Sequence, residues 1–106
     1  MIIAKFYKNG DNKLLGFEIT GHAGFDEMGL DIVCASVSSA AMLTCNTVTE
    51  VFKLDARVQV AENTIMLKLV SDKTGEGDKL LLGFMIHMIC LSEDYPQCIK
   101  VMDVLK

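Results

Sequence analysis

Cys34 and His22 are the two side chains whose types and spacing can support nucleophilic chemistry. They lie in the stretch from Gly21 to Ser38, GHAGFDEMGLDIVCASVS, where a histidine opens a glycine-rich segment and a cysteine stands just inside a helical pattern. A thiol attacks as its thiolate, and the unpaired amides and positive dipole end at a helix start favour that anion. With Asp31 as the cap, Cys34 is roughly the third helical residue. A histidine hydrogen-bonded to the sulfur can take its proton and later return it to a leaving amine. The amides of the same first turn can hold the oxyanion of an acyl-transfer intermediate. On residue types alone, plainer readings compete. A cysteine in an apolar helix is most often a small buried hydrophobe, and a histidine in a loop is often a solvated or capping residue. Spacing by itself does not bring the two into contact.

Two neighbours bear on that chemistry. As an N-cap, Asp31 accepts an amide of Val33 or Cys34; as an orienting group it holds His22 and favours its imidazolium. Its position in the chain favours capping. Ser38 follows Cys34 by one turn on the same helix face, where its hydroxyl either bonds back to a helical carbonyl or supports the site. Cys45 reads as core. His87, Cys90 and Cys98 resemble a zinc ligand set by spacing, but Met85, Ile86, Met88, Ile89 and Leu91 surround them with no carboxylate to orient the histidine, so no metal and no cofactor are expected.

The elements that must position these groups follow from periodicity. Residues 2–8 and 13–20 alternate as two strands around Asn9-Gly10-Asp11-Asn12, with Leu15, Phe17 and Ile19 facing one way. From Gly21 to Asp31 the period vanishes and glycines stand at 21, 24 and 29, which predicts a pliable loop, mobile until substrate closes it. Val33, Val37, Ala40, Thr44, Val48 and Val51 then recur at helical steps. Strands at 56–61 and 64–70, a helix over 78–92 with Asp78 or a neighbour as cap, a stop at Tyr95-Pro96 and a closing strand at 97–104 complete the chain. The fold class is α+β: a two-layer sandwich of order β-β-α-β-β-α-β, with two helices packed on one face of a largely antiparallel sheet. The second helix is apolar almost all round, so a homodimer contact over that helix, or over the exposed sheet face, is expected.

Length and composition narrow the classes further. At 106 residues, with 51% hydrophobic and 23% charged residues, the chain holds a single domain over 1–106 and has ample material for a core. Its longest apolar run, from Leu80 to Leu91, is too short to span a bilayer. The N-terminus alternates instead of building a signal core. A cytoplasmic location is therefore expected, with no membrane partner and with the 4 cysteines as thiols. The net charge is −4, and Lys and Arg are nowhere clustered along the chain, so no direct nucleic-acid partner is expected.

At Gly21-His22-Ala23, Gly29, Asp31-Ile32-Val33-Cys34-Ala35 and Val37-Ser38 the chain resembles the ribosomal-processing cysteine protease family, Prp, and the likeness extends over nearly all of its length. The resemblance implies a catalytic dyad at His22 and Cys34, with Gly21, Asp31 and Ser38 in supporting or substrate-positioning roles. It also implies a homodimeric bacterial endopeptidase that removes a short N-terminal extension, beside a phenylalanine-containing motif, from a basic large-subunit ribosomal protein. An acidic enzyme would attract such a substrate. Two rivals remain: a non-enzymatic ribosome-associated binding module, and a thiol redox sensor, for which Cys45 is a poorly placed resolving partner.

Overall fold

The structure, a computed structural model, describes residues 1–21 and 30–106, apart from the side chains of Leu30 and Asp31. The elements are β1 (Ile2–Lys8), β2 (Leu14–Thr20), α1 (Leu30–Asn46), which runs on through a π-helical turn at Thr47–Val51, β3 (Ala56–Ala61), β4 (Thr64–Leu69), α2 (Glu76–Asp94) and β5 (Ile99–Leu105). They form the expected β-β-α-β-β-α-β order. The sheet runs β3-β4-β2-β1-β5. Three of its pairings are antiparallel and β1–β5 is parallel.

Alternation in β1 sends Ile2, Ala4 and Phe6 into the core, leaving Ile3, Lys5 and Tyr7 on the other face. Phe6 and Phe17 meet Phe84 of α2 with ring centroids 5.6 and 4.7 Å apart, which locks that helix over the two inner strands. From α1 the stripe Val33, Val37, Ala41, Cys45 and Val48 joins the same core. The sequence stripe had Ala40 and Thr44 in place of Ala41 and Cys45, and it included Val51. Val51 is 71% exposed because the helix widens there, as shown by the Phe52 N–H reaching back five residues to the Thr47 carbonyl at 2.9 Å. The threonine hydroxyls of Thr47 and Thr49 bond to the Leu43 and Cys45 carbonyls just before and within this turn.

The β1–β2 hairpin departs from simple alternation. Tyr7 pairs with Gly16 and Lys8 with Leu14, so Leu15 is a bulge residue and Leu14 takes the core place expected of Leu15. The turn is closed by the Asn9 carboxamide, which accepts the amides of Asp11 and Lys13, and the positive φ falls on Asn12 at 62° and not on Gly10. Gly16 is required for a different reason: a Cβ there would run into the Leu67 carbonyl oxygen of β4.

Asp78 does not cap α2. Asp72 does, accepting the amides of Gly77 and Asp78 at 2.9 Å each after Gly75 turns the chain with φ 79°. The helix can therefore begin two residues before Asp78. Buried Asp78 instead accepts the Leu14 amide at 2.8 Å and ties the start of α2 to the bulge. At the other end Tyr95 closes α2 and a turn through Cys98 leads into β5.

The stretch Ile32–Val51 is long and apolar enough to cross a membrane by length and composition. Its core stripe on the sheet accounts for much of that apolarity.

Gly16→Ala should lower the free energy of unfolding by about 1–3 kcal/mol, because the obstructing atom is backbone. Gly10→Ala, where an added Cβ meets nothing within 4 Å, should change it little or raise it slightly. Urea unfolding of the two variants measures both.

Candidate active site

Gly21 ends β2 in a conformation only glycine adopts easily: its φ is 81°, and a Cβ would strike the Met1 carbonyl oxygen. Its amide donates to the Asn63 carbonyl at 3.3 Å, across to the β3–β4 turn. Within the described residues, Gly21 thus fixes where the chain leaves the sheet before His22. His22 itself, and the loop over 22–29 expected to be pliable, lie outside the described residues.

Cys34 is carried by α1. That helix starts at Leu30, so Asp31 stands one residue inside it and not at the cap, and Cys34 is the fifth helical residue instead of the third. The first four amides of a helix have no intrahelical acceptor, so the donors able to face an anion are those of residues 30–33, immediately before the sulfur. The side chain of Asp31 lies outside the described residues.

The setting of Cys34 is a border. Val33 and Val37 on either side are 1% and 0% exposed and pack on the sheet, while Ile32 is 67% exposed to solvent. Cys34 falls between them, half-buried and against the core. It therefore keeps a side open to solvent, which a nucleophile requires. α1 delivers its far end to β3 at the edge of the sheet where Leu69 pairs with Ala56, near the start of β2. The beginning of α1 accordingly lies toward the other end of the sheet, where β2 finishes at Thr20 and Gly21.

Ser38 sits one turn further on and is half-buried. Among the described residues its hydroxyl makes no hydrogen bond; the back-bond considered for it is made instead by Ser36, to the Ile32 carbonyl at 2.9 Å.

Cys45, on the same helix, is a different kind of thiol. It is 2% exposed, and burial pushes its pKa up to about 11 from 9.0. It is a packing residue, as expected. His87 and Cys90 are exposed on α2 and Cys98 is half-buried beyond it; among the described residues no three potential ligands converge on a metal position. His87 lines a cleft of about 260 Å³ between the helices with Ala40, Leu43, Thr44, Gly83 and Phe84. A larger cleft of about 500 Å³ lies at the opposite end of the sheet from Gly21, between the β1–β2 turn and the start of α2, and includes Asp72 and Asp78. Both of those carboxylates already hold backbone amides, so this cleft reads as structural.

Residues 1–100 match the family model described as cysteine protease Prp. The chain is 26% identical over 107 residues to the ribosomal processing cysteine protease Prp of Bacillus subtilis (strain 168), covering 95% of this chain and 96% of that one. Among solved structures, it resembles SMU.848 from Streptococcus mutans with a TM-score of 0.88 and 23% identity, over 100% of this chain and 99% of that one. It resembles the essential ribosomal processing protease Prp from S. aureus in complex with a substrate peptide with a TM-score of 0.89 and 20% identity, over 100% of both chains. The same S. aureus protein with a covalently linked product peptide gives 0.87 and 21%, over 98% and 100%. These structures share the two-layer fold and its element order.

The Cys45 shift sets a pH dependence. Below about pH 9 the thiol is protonated in both folded and unfolded chains and contributes none. Between pH 9 and about 11 it ionises only when unfolded, so stability should fall as pH rises through that window. The fall should be shallower in Cys45→Ala, read by urea unfolding across pH. In the folded protein at pH 8, iodoacetamide should leave Cys45 unmodified by mass spectrometry.

Proposed function

The chain belongs to the cysteine protease Prp family and is a cysteine protease; from that premise we propose that it removes a short N-terminal extension from a bacterial large-subunit ribosomal protein, using Cys34 as nucleophile and His22 as general base. The observation that carries the assignment of Cys34 is its half-exposed place one turn into α1, against the buried, hard-to-ionise Cys45 on the same helix.

The steps follow from those positions. His22 takes the Cys34 proton, and the thiolate attacks the scissile carbonyl carbon. The negative charge moves to the carbonyl oxygen, opposite the amides that open α1. Collapse of this intermediate breaks the C–N bond as the imidazolium gives its proton to the leaving amine, and a thioester remains on Cys34. Water, deprotonated by His22, then attacks the thioester and releases the acid product and the thiol. The covalently linked product peptide of the S. aureus relative fits a route of this kind. Asp31, one residue inside α1, takes the role of orienting His22. Gly21 fixes where that loop begins, and Ser38 supports the sulfur one turn away.

A flexible, basic extension would approach this acidic chain favourably in the cytoplasm, where thiols stay reduced. The active protein is a homodimer, and the helix layer is the surface that suits self-association. Leu43 and Ile86 are 67% and 52% exposed there beside the interhelical cleft, and Leu82 and Ile89 extend the patch. A two-fold contact over the open sheet face would set like charges against each other.

Cys34→Ala and His22→Ala should each lower cleavage of the extended ribosomal protein at least about a thousandfold, while peptide binding persists. Association without cleavage by the unaltered protein would point instead to a binding module. Asp31→Asn should keep full stability and lose about tenfold in kcat if the carboxylate orients His22. Ile86→Glu should convert the dimer to a folded monomer by light scattering; an unchanged mass would move the interface elsewhere.

A further inference from the structure

The face of the sheet turned away from the helices gathers charge that is dispersed along the chain. Of the 10 Lys and Arg, Lys5, Arg57, Lys68, Lys100 and Lys106 stand on this face; against them, among the described residues, stand Glu18 within the strands and Asp55, which extends β3 beside Arg57, in a chain that holds 14 Asp and Glu. None of the five has a carboxylate within 4.0 Å among the described residues; the ion pairs of Lys8 and Lys13 lie elsewhere.

Strand register arranges the cations in a row. Arg57 pairs with Lys68, Lys68 with Gly16, and Gly16 with Tyr7. Gly16 has no side chain, so Lys68 reaches over it to lie 5.9 Å from the centre of the Tyr7 ring. From β5, Lys106 approaches the same ring at 4.9 Å. Two cations thus flank one aromatic ring, and with Arg57 they form a row along about 19 Å of open sheet, at strand spacings of about 4.8 Å. Lysines on edge strands guard against edge-to-edge pairing, but Lys5 and Lys68 stand on the interior strands β1 and β4, where no edge needs protecting.

We propose that this open sheet face binds single-stranded RNA, its phosphates held by Arg57, Lys68 and Lys106 and a base stacked on Tyr7. A sheet face with a half-buried ring among cations offers the two contacts a single strand needs: charge for the backbone and a π surface for a base. In the free protein the ring holds the two ammonium groups close; a phosphate draws them outward and frees the ring for stacking. An acidic polypeptide would use the cations but not the ring. The choice of RNA over single-stranded DNA rests on the ribosomal reading above; the charge and the ring do not. The site lies on the opposite layer from α1, so RNA can be held while the protease works on its peptide.

Fluorescence anisotropy with a labelled single-stranded RNA of about 12 nucleotides, at about 50 mM salt, tests this independently of cleavage. Binding should weaken with salt at a log–log slope of about −2.1 for three phosphate contacts, and the slope should flatten by about 1.4 in the double variant Arg57→Glu/Lys68→Glu. Affinity in that variant should fall at least tenfold, with peptide cleavage unchanged. The matched variant Lys73→Glu/Lys79→Glu, which alters charge equally near the start of α2, should bind almost as well as the parent. Tyr7→Leu should weaken RNA at least threefold without flattening the salt slope. Absence of RNA binding, equal loss in both double variants, or poly-glutamate competing as well as RNA at matched charge would overturn the proposal. A DNA strand of the same sequence binding more tightly than RNA would overturn the choice of RNA.

Discussion

Phe6, Phe17 and Phe84 form one aromatic contact through which the two layers hold together. Phe6 and Phe17 come from the adjacent strands β1 and β2 and pair directly across the sheet, while Phe84 descends from the middle of α2. Burying these rings on one face settles which way both inner strands turn, since the side-chain period of two then assigns every other residue. Lys5, Tyr7, Glu18 and Thr20 go to solvent as a consequence. The bulge at Leu15 and the missing side chain at Gly16 are local adjustments that keep Phe17 in this contact while β4 approaches closely.

The same burial divides the thiols. α1 carries Cys34 and Cys45 eleven residues apart, three turns along, yet the two differ in chemistry. Cys45 lies in the stripe on the sheet, where desolvation holds its proton. Cys34 lies at the stripe's border and at the helix end that favours an anion. A residue type that packs well in the core thus keeps a solvent-facing side through its place on the wheel, near the helix start.

Charge follows a parallel logic. The chain is acidic overall, and half of its 10 cations, Lys5, Arg57, Lys68, Lys100 and Lys106, come from β1, β3, β4, β5 and the residue that follows β5. Pairing in register brings five of them to one face, so the molecule presents a cationic sheet and an apolar helix layer. These surfaces differ in chemistry, which fits the different partners proposed for them.

Much of the fold was legible in the residues themselves. Alternation in 2–8 and 13–20, the helical recurrence from Val33 to Val51, and Tyr95-Pro96 each act over a few neighbours, so the element types and their order follow from local chemistry. The place of Cys34 near the start of a helix was legible for a similar reason, since a helix start is a local feature. What escaped depends on atoms distant in the chain. Asp78 looked like a cap because its position suited one, but the Leu14 amide, 64 residues away, claims it and leaves capping to Asp72. The exposure of Val51 needed the π-helical turn. The cation row needed strand register, because lysines spread over a hundred residues become neighbours only when backbone hydrogen bonds align them. Sequence alone determined which elements form and in what order; the tertiary structure decided which side chains share a surface, because burial and register are properties of the assembled sheet and not of any single segment.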